Sequence, residues 1–290
     1  MKNFVNIICL ALILLPFQGI SQSRDFFDDD DFRRIRIGLG AGGFFAGRHP
    51  ASFYNGHPNN QNKLTYAFEN SDFVRNLDSR LQQRYLIEES SISPRVRVEL
   101  PERMTYRVAT TVSFRASFHL SRDASMFFNF NHVNLTATDV LVLIFPNPGP
   151  ITEPIRVQGR IWGREARTML DVGFQWVDEL EAHNWQWFYE LGFNVTNTRV
   201  RENMIEIEGL RHTIMNQGTF HPGAGWSTVA VPETAWGVGV LGAFGFRYVI
   251  NPTASLDFGA TAYLHDINLP GYTRFHTSFN LFARLNFLMF

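Results

Sequence analysis

Apolar side chains recur at every second position in eight stretches of the 290-residue sequence. From Met104 to Ser121, Tyr106, Val108, Val112, Phe114, Ala116, Phe118 and Leu120 alternate with Arg107, Thr111, Ser113, Arg115, Ser117 and His119. A period of two sends successive side chains to opposite faces of a strand, so each stretch is predicted as a strand with one apolar and one polar face. The others run over Arg34 to Phe45, Ser125 to Asn134, Ala166 to Trp176, Trp185 to Val195, Trp236 to Tyr248, Leu256 to Leu264 and His276 to Phe290. In the last, Phe279, Leu281, Ala283, Leu285, Phe287 and Met289 alternate with His276, Ser278, Asn280, Arg284 and Asn286, and Phe282 and Leu288 break the rule.

A water-soluble sandwich alternates too, but three features favour strands that cross a membrane. The apolar faces are long and aromatic, each reaching the ~9–11 residues that a tilted strand needs to span. Tryptophans (Trp176, Trp185, Trp236) fall at predicted strand ends, as in an interfacial girdle. Connectors alternate between short, near 122–124, 178–184 and 250–254, and long, near 46–103, 135–165, 197–235 and 265–275. The fold class that follows is all-β: a transmembrane antiparallel β-barrel of eight strands with long extracellular loops and both termini on the short-turn side. Ten strands result if Leu64 to Glu69 and Arg95 to Leu100 pair and insert.

Residues 1–21 read as a cleaved signal peptide: Lys2, an apolar run from Phe4 to Leu15, Pro16, then small residues at Gly19 and Ser21. Residues 22–290 then form a single barrel domain. Cys9, the only cysteine, lies inside the apolar run, which leaves the mature chain without disulfides or thiolate chemistry. A formal net charge of -1 argues against a nucleic-acid partner. The aspartates at 28–31 read as a solvated lead-in to the first strand.

With these strands in place, the chain resembles the small outer-membrane barrels of the OmpA transmembrane-domain type from Gram-negative bacteria. The resemblance is one of architecture over the whole mature chain. It implies residence in the cell outer membrane, contact with the lipid bilayer, and insertion by the barrel-assembly machinery, with the terminal Phe290 similar to the signal that machinery reads.

The polar faces place Arg34, Arg36, Arg107, Arg115, Arg167, Arg247 and Arg284 inside, opposite Asp171, Glu190 and Asp257. An eight-stranded lumen is about filled by side chains, and buried charge needs partners. An arginine–carboxylate network that closes the lumen is therefore expected, with anion attraction as the alternative. No cofactor and no metal site is expected, because the histidines lack ligand spacing. His276 and Ser278 resemble the His-x-Ser pair of outer-membrane lipid A deacylases, without an identifiable carboxylate to orient them.

The loops carry the remaining signals. Residues 71–86 predict an amphipathic helix with Ser71 as N-cap and Phe73, Leu77, Leu81 and Tyr85 on one stripe. That stripe either packs on its own loop or offers a partner-docking face or a lid. Asp139 to Phe145 and Ile155 to Trp162 flank a Pro/Gly turn at 146–150 and predict a hairpin projecting above the membrane. Loops this large point to a non-enzymatic interaction protein, an accessory subunit of an envelope complex. The alternatives are a lipid-modifying hydrolase or a small-solute or anion channel.

Overall fold

The computed structural model describes residues 35–85, 96–121, 123–145, 153–179, 184–215 and 233–289. The predicted signal peptide, the acidic lead-in, Arg34, the turn at 146–150 and Phe290 lie outside the described residues. Among the described residues, eleven strands form one antiparallel sheet: β1 (Ile35–Phe45), β2 (Arg97–Glu99), β3 (Thr105–Tyr106), β4 (Ala109–His119), β5 (Ala124–Phe145), β6 (Ile155–Glu179), β7 (Trp185–Ile207), β8 (Leu210–Thr213), β9 (Thr234–Asn251), β10 (Ala254–His265) and β11 (His276–Met289). Eight of them close a ring in the order β1-β4-β5-β6-β7-β9-β10-β11, with β11 pairing back onto β1 from Ile35↔Met289 to Phe45↔Phe279. The short strands β2 and β3 add to β5, and β8 adds to β7, beyond the ring. Ten inserted strands are excluded, since Thr65–Phe68 is helical and β2 pairs only with the far end of β5.

Closure leaves no sheet edge in hydrocarbon, where an unpaired backbone group has no water to bond. The register is staggered. From Arg167, partners run through Val133, Thr111, Gly42, Phe282, Gly259, Gly245 and Phe188 and return to β6 at Val177, ten residues along. That stagger tilts the strands and fixes a narrow interior.

The outer wall of the ring is a continuous apolar belt that includes Leu39, Phe114, Phe130, Leu170, Phe193, Val238, Phe258 and Leu281, all exposed. At the end where β1 begins and β11 finishes, Trp176 stacks on Tyr189 with ring centroids 5.3 Å apart, and Trp185 packs on Tyr248 at 5.1 Å. Belt and aromatic rim are the surface that a bilayer covers.

Strands β5, β6 and β7 continue well beyond the belt, and there the two faces exchange character. Within the belt β5 points Met126, Phe128 and Phe130 outward and Ser125, Asn129 and Asn131 inward. Past His132 it points Asn134, Thr136 and Thr138 outward and buries Leu135, Ala137, Leu141, Leu143 and Phe145. From Val133 to Thr138 the polar face is thus out and the apolar face in, an arrangement built for water, before Val140 resumes an apolar outer strip. The described parts of the expected long loops, 135–145, 153–165, 197–215 and 233–235, are thus largely strand. The expected second strand is broken instead: β3 and β4 are separated at Arg107 and Val108, and Tyr106 faces inward instead of toward lipid. On β7 a bulge opposite Arg164 and Glu165 shifts the inward set from Val200 to Asn203, Ile205 and Ile207.

The segment after β1 folds into the space this sheet encloses. It forms α1 (Arg48–Ala51), a 3-10 turn (Ser52–Tyr54), α2 (Thr65–Phe68) and α3 (Ser71–Tyr85). Phe53, Leu64, Leu77 and Leu81 join Leu141, Val157, Ile161, Ile205 and Ile214 in one buried core outside the belt. The N-cap of α3 is Asn70 rather than Ser71, its side-chain oxygen accepting from the Phe73 amide at 2.9 Å. Its other end is tied to the β7–β8 turn, where Glu208 and Gly209 both take positive φ. Arg80 donates to the Glu208 carbonyl (2.7 Å), while Arg84 and Tyr85 donate to its carboxylate at 2.5 and 2.9 Å. Hydrogen bonding to Glu208 raises the Arg84 pKa.

Seating this cap depends on Gly163, because a Cβ there would lie 2.0 Å from the Tyr54 ring. Gly163→Ala is expected to displace Tyr54 and lower the stability of the cap by about 1–3 kcal/mol. Limited proteolysis and urea unfolding read that loss, while the heat-modifiable gel shift of the barrel persists.

Candidate functional site

The inward polar residues of the belt meet in a cluster nearer the end where β1 begins and β11 finishes. Arg115 on β4 donates to Glu190 on β7 at 2.8 Å, and Arg284 on β11 bridges Glu190 at 3.2 Å and Asp257 at 3.0 Å. Arg247 on β9 holds both oxygens of Asp257 at 2.7 and 3.1 Å, a bidentate fork. Gln175 links the two halves, donating to Glu190 (2.8 Å) and accepting from Arg247 (3.1 Å). Phe127 lies against Arg115 and Phe282 against Arg284. Phe282, the exception to the alternation, is therefore a lumen residue, packed also toward Phe188. Arg36 adds a partly exposed cation beside Arg247, Asp257 and Arg284.

A second group lies one layer up. Asp171 was expected to pair with arginine, but its partners are neutral: Asn131 (2.6 Å), Asn194 (2.5 Å) and the Tyr263 hydroxyl (3.2 Å). Charges of opposite sign share the inner face of the wall, and the stagger of the register decides which of them meet.

A third group closes the lumen beneath the cap. Glu165 accepts from Arg167 (2.6 Å), Tyr106 (2.9 Å) and Tyr54 (2.5 Å), the last belonging to the cap itself. Burial, then the adjacent Glu165 charge, raises the pKa of both tyrosine hydroxyls. They therefore stay protonated and donate. Glu165 is absent from the expected lumen set because it falls at the end of the expected loop 135–165, just before the alternating stretch that begins at Ala166, whereas the strand in fact starts at Ile155. Arg107 departs from expectation in the other direction. The break between β3 and β4 turns it out of the lumen, and it is exposed on the outer wall.

Ser278 accepts or donates a hydrogen bond with His265 Nε2 at 3.1 Å, while His265 Nδ1 lies 3.4 Å from the Asn194 side-chain oxygen. The neighbour of Ser278 is thus His265 and not His276. Both residues are fully buried, so no lipid ester reaches the hydroxyl in this arrangement. The stripe on α3 is spent as well. Phe73, Leu77 and Leu81 are buried in the cap core and Tyr85 packs against it, so of the two readings of the stripe the structure shows packing within its own fold and leaves these side chains unavailable as a docking face. The stripe faces its own fold because the extended strands present an apolar inner wall of matching length. Among the described residues no group of His, Asp and Glu has the geometry to hold a metal ion.

Glu190 carries two guanidinium groups, so Glu190→Ala is expected to leave Arg115 and Arg284 short of charge and cost roughly 3–5 kcal/mol. Unfolding of the refolded barrel in detergent measures this. In planar bilayers the wild type should show no large, stable conductance.

No family model matches the chain, and no curated protein does. Among solved structures it is similar to Neisserial surface protein A (9% identity, TM-score 0.36, 88% of this chain and 96% of that one). It is also similar to the attachment invasion locus protein Ail of Yersinia pestis (6%, 0.39, 89% and 99%) and to the outer membrane protein OprG of Pseudomonas aeruginosa (8%, 0.37, 89% and 94%). At such values the likeness carries no weight beside the ring closure and the apolar belt. Those two observations make the chain a small eight-stranded β-barrel of the outer-membrane type.

Proposed function

We propose that the protein is a non-enzymatic barrel that anchors a folded cap at the outer surface for contact with another envelope protein. The observation that carries this reading is the cap itself. A barrel of this size needs no second apolar core to close its lumen, since the charged cluster already fills the interior. Orientation follows from the start of β1, the end of β11 and the short β4–β5, β6–β7 and β9–β10 connections, which lie at one end of the ring, taken to face the periplasm.

The surface left for a partner is the outer face of the extended hairpin. Val140 stands half exposed there, with Val142 and Ile144 beside it, while Leu141, Leu143 and Phe145 turn inward. An apolar strip among arginines and polar side chains is unusual for a wall that meets only water. A channel reading is disfavoured by the paired lumen, and a hydrolase reading by the burial of Ser278.

A photo-reactive side chain at Val140 is expected to cross-link a discrete envelope protein in native membranes. The same probe at Asp72, on the exposed side of α3, supplies the comparison. Absence of any adduct from folded protein at both positions contradicts the reading.

A further inference from the structure

The outer wall just beyond the belt is strongly basic on one side of the barrel. On β6 the outward series runs from Leu170 through Thr168 and Ala166 to Arg164, Trp162 and Arg160. Arg199 stands beside Ala166 on β7, and Arg107 lies across β5 from them. Arg107, Arg160, Arg164 and Arg211 line one groove with Trp162 and the side chains of Asn134 and Thr136. Two carboxylates face them. Glu202 takes Arg164 at 3.1 Å and the Trp162 indole N–H at 3.0 Å, and Glu206 takes Arg211 at 2.6 Å. Among the described residues, Arg107, Arg160 and Arg199 have no carboxylate partner, and all three are exposed. Each is surplus positive charge.

Height decides what that charge meets. The hydrocarbon ends near Thr168 and Asn197, where the outward side chains turn polar and Trp236, paired with Asn197, marks the rim. Arg107, Arg164 and Arg199 stand one to two outward positions above this line, the level of the phosphate groups of the surrounding lipid. Arg160 and Arg211 reach higher still. Arginine suits this place: its planar fork bonds phosphate oxygens bidentately and is weakly hydrated. Trp162, an amphipathic ring, sits among the guanidiniums, with Arg160 over its face at 5.6 Å.

We propose that this wall is a binding surface for the phosphate groups of the outer-leaflet glycolipid, with Arg107, Arg160, Arg164 and Arg199 as its ligands. The commitment to the outer leaflet rests on the orientation given above, while the commitment to phosphate rests on the arginines alone. Bound lipid would then fix the depth and tilt of the barrel on the side where its strands leave the membrane.

The test titrates the refolded protein in detergent with lipid A and counts bound lipid by native mass spectrometry. The triple variant Arg107→Gln, Arg160→Gln, Arg199→Gln is expected to bind roughly a hundredfold more weakly, on about one surface-charge contribution per residue. A second triple variant, Arg75→Gln, Arg97→Gln, Arg274→Gln, removes equal exposed charge elsewhere and should bind as the wild type does. Equal weakening in both variants, or none in the first, overturns the proposal. Undiminished binding of dephosphorylated lipid A overturns the role of phosphate, and preference for phosphatidylglycerol overturns the assignment to the outer leaflet. Loss of lipid A with the Val140 cross-link intact separates this surface from the partner site.

Discussion

In hydrocarbon a backbone N–H or C=O must find its partner within the protein, and the rest of this molecule follows from that requirement. A sheet satisfies it only by closing, and β11 closes on β1 along their full common length. Eight strands with a ten-residue stagger leave an interior about wide enough for side chains to fill. The inward side chains must then fill it, and since the outward positions are apolar, the inward ones are the polar members of each strand. Arginines and carboxylates at that density are tolerable only as a joined cluster, which is what Arg115, Glu190, Arg284, Asp257 and Arg247 form.

Beyond the lipid the same constraint reverses sign. Once β5, β6 and β7 leave the bilayer their backbone pairs with one another and with β2, β3 and β8, and water takes the place of lipid on the outer wall. The inner wall can then be apolar, and burying it is favourable in proportion to the area removed from water. The helical segment after β1 supplies the opposing surface, so the cap has a core of the kind found in soluble proteins, mounted on a membrane barrel. Glu165 marks the joint. It sits where the charged lumen ends and the cap begins, and it bonds Arg167 below and Tyr54 above.

Most of the barrel was legible in the sequence because period-two alternation depends only on local geometry, and the belt residues of all eight ring strands follow it. The hairpin and the helix of the first loop were legible for the same reason. What escaped was long-range. Asp171 and Glu190 look alike on their strands, but the register gives one neutral partners and the other two arginines. Arg107 sits in phase with the lumen residues of β4, yet the break before Ala109 turns it outward. The stripe of Phe73, Leu77 and Leu81 declares an apolar contact without saying with what. The exchange of faces at His132 was hidden because an alternating pattern looks the same whichever face is wet.

Cysteine scanning tests that exchange of faces directly, since residues 22–290 contain no native cysteine. Single cysteines along β5 would be treated with a water-soluble maleimide in liposomes. Positions 126, 128 and 130 should resist labelling as lipid-facing sites, positions 134, 136 and 138 should label readily, and positions 135, 137 and 141 should resist as core. Resistance continuing through 134, 136 and 138, with labelling at 135 and 137, would mean that the lipid face runs on unchanged and that the cap has no core beneath it.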